Sequence, residues 1–115
     1  MKLLTQAIKK ALPPLYSQDG KGEDALAVVK FFTPDSSWTW YASEASAALA
    51  DGDYVALTDP KAATAEDVTF FGKVVGLETE LGYFSLNELT SAKGPLGLPI
   101  ERDLHFKPKA LKECA

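Results

Sequence analysis

The sequence predicts an α+β fold: a single small domain whose mostly antiparallel sheet of four to five strands carries an N-terminal helix and two later short helices. Three observations predict it. The chain has 115 residues, the length of one domain. Short runs rich in Val, Phe, Trp and Tyr recur between clusters of Gly, Pro and Asp, the mark of strands joined by turns. Helical periodicity is confined to brief stretches, so helices cover a sheet rather than alternate with its strands. Hydrophobic residues make up 46% and charged residues 24%, which excludes a disordered chain. A chain of this size buries roughly two-thirds of its unfolded surface, so one core suffices without disulfide or metal.

Taken in order, Thr5 is placed to cap a first helix. Leu4, Ile8, Ala11 and Leu12 share one face of it, and Lys9 and Lys10 turn away. Pro13 and Pro14 end it, because the residue before a proline avoids helical geometry. Residues 17–24 are polar, with Gly20 and Gly22, and read as a mobile connection. A strand over 25–32, a Thr33-Pro34-Asp35-Ser36 turn and a strand over 37–44 make an antiparallel hairpin. Alternation puts Trp38, Trp40 and Ala42 on one face of the second strand and Thr39, Tyr41 and Ser43 on the other.

Residues 45–50 read as a short helical or loop piece, 51–53 as a turn and 54–57 as a short strand. Residues 58–67 are polar and alanine-rich, and the whole of 45–67 is the expected variable insertion or lid. A strand over 68–77 follows, in which Gly72 and Gly76 mark a bulge or a close backbone approach. A turn over 78–81 leads to a strand at Gly82-Tyr83-Phe84. Ser85 and Glu88 then form a capping box for a helix over 86–92 that ends near Lys93 and Gly94. Residues 94–99 form a stiff apolar loop and 100–106 an extended segment. Pro108 opens a final short helix over 109–113.

Twelve basic against sixteen acidic residues give a formal charge of −4. That disfavours direct, non-specific attraction to nucleic acid, while leaving room for a local basic patch. The single cysteine, Cys114, excludes an internal disulfide and a cysteine-rich zinc site. No apolar run approaches the roughly 18 residues of a membrane span. Residues 1–12 lack the apolar core of a signal peptide. The expectation is a soluble, cytoplasmic protein without a membrane partner.

Three groups of residues are candidates for chemistry. On an extended backbone Glu101, Asp103 and His105 share a face, where they could hold Mg²⁺ or Mn²⁺. The ion would activate water for phosphodiester cleavage, with Arg102 or Lys107 touching phosphate. The competing reading is a half-exposed strand of alternating charges. His105, the single histidine, is either an acid–base group or simply hydrogen-bonded.

The second group is aromatic: Phe31, Phe32, Trp38, Trp40 and Tyr41 serve a core, a partner interface or base stacking. Stacking needs flanking cations, and only Lys30 is near in sequence. The third is acidic. Glu78, Glu80 and Glu88, with Asp51, Asp53, Asp59, Glu66 and Asp67, either solvate the surface or mimic the phosphate spacing that a basic groove recognises. No GxGxxG, Walker loop or nucleophile elbow occurs.

Several segments taken together carry a family resemblance. They are Pro13-Pro14-Leu15-Tyr16-Ser17-Gln18, Val29-Lys30-Phe31-Phe32-Thr33-Pro34-Asp35-Ser36, Trp38-Thr39-Trp40-Tyr41, Phe70-Phe71-Gly72, Gly82-Tyr83-Phe84-Ser85-Leu86 and Gly94-Pro95-Leu96-Gly97-Leu98-Pro99-Ile100-Glu101-Arg102-Asp103. In this order they resemble the bacterial family called domain of unknown function 2958, over nearly the whole chain except 45–67. The resemblance implies the setting of small accessory proteins of plasmids, integrative elements and phages. Some members carry the label of single-stranded DNA endonuclease, but no catalytic residues come with it that map onto this chain.

The expected function is a non-enzymatic accessory protein, without cofactor, that binds a host or element protein. An anti-restriction or anti-CRISPR inhibitor is the form considered, docking on a nucleic-acid-binding effector through Trp38, Trp40, Tyr41, Glu78, Glu80 and Arg102. The alternative is a Mg²⁺- or Mn²⁺-dependent nuclease acting on single-stranded DNA through Glu101, Asp103 and His105. A structural subunit of a plasmid-encoded complex is the third reading.

Overall fold

A computed structural model describes residues 2–114; Met1 and Ala115, the ends of the expected domain, lie outside them. The long strand β3 (Thr39–Ala48) organises the molecule. It pairs antiparallel with β2 (Val29–Phe32) on one side and with β5 (Asp67–Val75) on the other. The short β4 (Tyr54–Ala56) extends it past β2. β6 (Thr79–Ser85) and β7 (Glu101–Arg102) form the two edges, giving six strands in the order β6-β5-β3-β2-β7 with β4 beside β3. β1 (Leu26–Ala27) and β8 (Lys109–Ala110) make a separate two-stranded ribbon. The main sheet is thus one strand larger than the sequence predicts, and it remains mostly antiparallel with a few short helices.

The extra strand length comes from residues 45–48. Their Ala and Ser content suggests a helix or loop, yet Ala45 to Ala48 pair with Phe70 to Asp67 in the middle of the sheet. Pairing between distant segments overrides the weak local preference of small residues. The segment 45–67 is therefore continuous with the core at its start, and Leu57 within it is buried too.

The register shifts between Ala42 and Glu44, leaving Ser43 as an extra residue. Its hydroxyl donates to the Phe71 carbonyl at 3.0 Å. The bulge keeps Ala42, Ala45 and Ala47 on one face, where they join Val29, Phe31, Phe70 and Phe84 in the main core. Phe31 and Phe70 meet edge to face at 5.6 Å, and both are fully buried.

Helix α1 (Gln6–Ala11) and helix α2 (Leu86–Ser91) close this face. The Thr5 hydroxyl accepts from the Ile8 amide and the Ser85 hydroxyl from the Glu88 amide, as the capping residues predict. Leu4 and Leu12, at the ends of α1, and Leu89 of α2 are buried in the core, while Ala11 is exposed.

The opposite face has a second, smaller cluster of Ala25, Ala27, Tyr41, Leu111 and Cys114, with Phe106 against it. The expected helix over 109–113 is replaced by β8 and a single 3₁₀ turn, Leu111–Glu113. Lys73 holds this turn from beneath. Its ammonium donates to the Leu111 and Cys114 carbonyls at 3.2 and 3.0 Å and pairs with Glu23 at 3.0 Å.

Residues 17–24, expected to be a mobile connection, are tied down as well. The buried Glu44 carboxylate accepts from the Tyr16 and Gln18 amides, and the Gln18 side chain bridges Ser43 and Leu26. No helix among the described residues is long and apolar enough to cross a membrane.

Candidate functional site

The hairpin turn Thr33-Pro34-Asp35-Ser36 delivers Trp38 and Trp40 to one side of the sheet's end, where their rings stack at 6.0 Å and 27°. Trp40 is half-buried against the main core, and Trp38 is 39% exposed. Facing them, the chain leaving α2 supplies Ala92, Lys93, Gly94 and Pro95. A mainly apolar cleft of about 540 Å³ lies between, floored by Thr33 and Ser36.

Two glycines make this geometry possible. A Cβ on Gly76 would run into the Trp38 ring, so the indole lies directly on the turn between β5 and β6. A Cβ on Gly94 would run into the Asp35 carboxylate. That carboxylate accepts from the Leu96 amide at 2.7 Å and so fixes the far wall of the cleft.

One acidic candidate, Glu80, shares a sheet face with the aromatic pair. Trp40 is paired with Val74 and Val74 with Glu80, so Trp40 and Glu80 share a face two strands apart. The turn under Trp38 is Gly76 to Glu78 rather than 78–81, and β6 already starts at Thr79. Leu77 at its tip is 95% exposed and Leu96 on the opposite lip is 80% exposed. The cleft is lined by one charged side chain, Lys93, while Glu78, in the turn beneath Trp38, and Glu80, two strands from Trp40, lie outside its lining.

Tyr41 does not belong to this surface. It follows Trp40 on β3, faces the other side and is buried in the second cluster, with its ring 5.8 Å from that of Phe106. Burial pushes its phenol pKa above the ordinary tyrosine value. Arg102 lies on edge strand β7 opposite Phe31, half-buried, away from the cleft.

Glu101, Asp103 and His105 line one hollow, but not in the geometry of a metal site. The Asp103 amide still donates to the Lys30 carbonyl at 2.9 Å, and its carboxylate then turns the chain by accepting from the His105 amide at 2.9 Å. The extended backbone that would align Glu101, Asp103 and His105 is therefore lost. Among the described residues, no three His, Cys, Asp or Glu side chains could hold a metal ion.

This turn instead lines a hollow on the Tyr41 side, about 320 Å³ in volume, that holds Lys30, Lys107, Lys109 and His105. Sequence reasoning offered Lys107 as a phosphate contact in the nuclease alternative and Lys30 as the one cation near the aromatic run, without joining them. Nothing in a single chain links them, because they meet only when β2 and the segment after β7 come together.

A family model described as a protein of unknown function (DUF2958) matches residues 3–112 of the 115-residue chain. No curated protein and no solved structure gives a significant match.

Proposed function

The chain belongs to this family of unknown function, and from that premise we propose that it is a non-enzymatic, cytoplasmic protein-docking factor that seats an apolar anchor of a basic partner in the Trp38–Trp40 cleft. The observation that carries this reading is the Trp38 ring resting on Gly76, which opens the turn bearing Glu78, with Glu80 on the same sheet face as Trp40. Aromatic residues around a desolvated pocket supply affinity, and rim charges supply steering and partner choice. The partner that fits is a protein with a cationic groove of the kind that otherwise holds nucleic acid. In the mobile-element setting implied by the family resemblance, that class includes the effectors of restriction and CRISPR defence.

The test is an interference assay in cells carrying one such effector, with the protein expressed in trans. The wild type restores plasmid or phage survival. Trp40→Ala and the pair Glu78→Lys/Glu80→Lys each cut that protection by about tenfold or more, the scale of losing a hot spot or reversing a rim. Equal protection by all three proteins would place the docking surface elsewhere. A parallel cleavage assay on single-stranded DNA with Mg²⁺ or Mn²⁺ tests the nuclease alternative, which wild-type-only cutting lost in Glu101→Ala/Asp103→Ala would establish.

One observation favours the structural-subunit reading. Edge strand β6 is seven residues long, with Leu81 and Tyr83 exposed, and such edges accept further strands. Sedimentation of the purified protein as a stable oligomer would support it.

A further inference from the structure

The protein is acidic overall, yet the hollow beside Tyr41 is not. Lys30, Lys107 and Lys109 line it against a single carboxylate, Asp103. That carboxylate is already engaged, by the Lys30 ammonium at 3.5 Å and by the His105 amide at 2.9 Å. Among the described residues Lys107 and Lys109 have no ion pair.

The lysines are also positioned. Lys30 lies 5.8 Å from the Tyr41 ring centroid and Lys109 lies 5.9 Å from that of Phe106, while the two rings contact each other. An aromatic pair thus carries one ammonium at each end, an arrangement that costs less side-chain freedom than two lysines reaching into water. Burial raises the pKa of the nearby Cys114 thiol, and Lys109, Lys73 and Lys30 act in the opposite direction. An adjoining hollow of about 310 Å³ shares Lys30, Asp103 and His105 and adds Arg102 opposite Glu101, which leaves the positive surplus on the Tyr41 side.

We propose that the Lys30–Lys107–Lys109 hollow is a binding site for a small phosphate-bearing anion, of the size and charge of a diphosphate group. Three ammonium donors around a concave surface match the charge of such a group, and lysine meets phosphate as a point charge without fixed geometry. The volume lies at the small end of ligand pockets, which suits a compact anion rather than a strand of nucleic acid. This site is independent of the cleft on the other face.

The experiment titrates inorganic pyrophosphate into the full chain at matched pH and ionic strength. Two reporters come with the sequence. The chain has one histidine, so the imidazole proton resonances of His105 report the hollow without further assignment. Its two tryptophans both line the cleft, so their fluorescence reports the other face.

The expected result is a saturable shift of the His105 resonances with unchanged tryptophan fluorescence. Lys107→Gln/Lys109→Gln, which alters only exposed side chains, weakens binding by about tenfold. Lys61→Gln, in the 3₁₀ turn Pro60–Thr64 that follows β4, leaves binding as it is. No saturable shift, or equal weakening by Lys61→Gln, would overturn the proposal. So would a tryptophan response that tracks the titration, or binding of a short oligothymidylate where pyrophosphate does not bind.

Discussion

Trp40 and Tyr41 are consecutive residues of β3, and the surfaces around them differ in kind. Trp40 opens onto a mainly apolar cleft, with Glu80 on the same face two strands away, whereas Tyr41 is buried beneath a hollow lined by Lys30, Lys107 and Lys109. The pleat of one strand separates them, because successive side chains point to opposite faces. The two sides are closed differently as well. The Trp40 side rests on a large core of Phe, Leu and Val, while the Tyr41 side is closed by the last residues of the chain over a small cluster. A formal charge of −4 therefore describes neither surface. It is a sum over the whole chain, and steering depends on the local charges that a partner meets.

The sharpest break of this comparison removes Lys73, the peg under the Tyr41 side. Lys73→Ala strands the Leu111 and Cys114 carbonyls and frees Glu23, so it should cost about 3 kcal/mol. Urea unfolding would show the loss. Hydrogen exchange would place it in 109–114 and leave the α2 amides protected, since the core face does not use Lys73. An evenly spread loss would mean that the two faces unfold as one unit.

Trp40→Ala makes the complementary cut. A half-buried indole packed on the core and stacked on Trp38 is worth about 2 kcal/mol, less than a fully buried aromatic. Its removal should lower the melting temperature and leave the His105 resonances in place. A change there would show that the sheet transmits strain between the faces.

The smallest effect concerns the exposed pair Lys112–Asp24, 2.8 Å apart, which ties the C-terminal turn to the 3₁₀ turn Gly22–Asp24. The Lys112 ammonium holds the Asp24 carboxyl below its ordinary pKa, through a hydrogen bond first and charge second. A lowered folded pKa means that the pair stabilises at pH above 3.8 and loses that contribution as pH falls through the folded value. Asp24→Asn should flatten this slight acid dependence in a stability–pH titration. High salt should do the same to the wild type, since both side chains are largely exposed.

Local signals were legible wherever a few neighbouring residues decide the outcome. Thr5 and Ser85 cap the helices they precede, the Pro34-Asp35 turn joins two strands, and alternation alone separates Trp40 from Tyr41. The close approach suggested by Gly76 is real, although only the fold supplies Trp38 as the group that approaches. The failures share one cause. Residues 45–48 look helical until β5 pairs with them, and 101–105 look extended until Asp103 turns the chain. Each error overweights a local tendency of a few tenths of a kcal/mol against pairing and packing worth more in sum.

By itself the sequence determined a single α+β domain, the N-caps Thr5 and Ser85, the Pro34-Asp35 turn, its net acidity, the opposite orientations of Trp40 and Tyr41, and its family. These depend on periodicity, composition and motif order, which survive when the chain is read one residue at a time. Only the tertiary structure decided that Glu80 would share a face with Trp40, that Ala92 to Pro95 would close the cleft, and that Lys30 would meet Lys107 and Lys109. Those juxtapositions follow from strand order and register. Register is fixed by the burial of a whole face at once, so no single segment contains it.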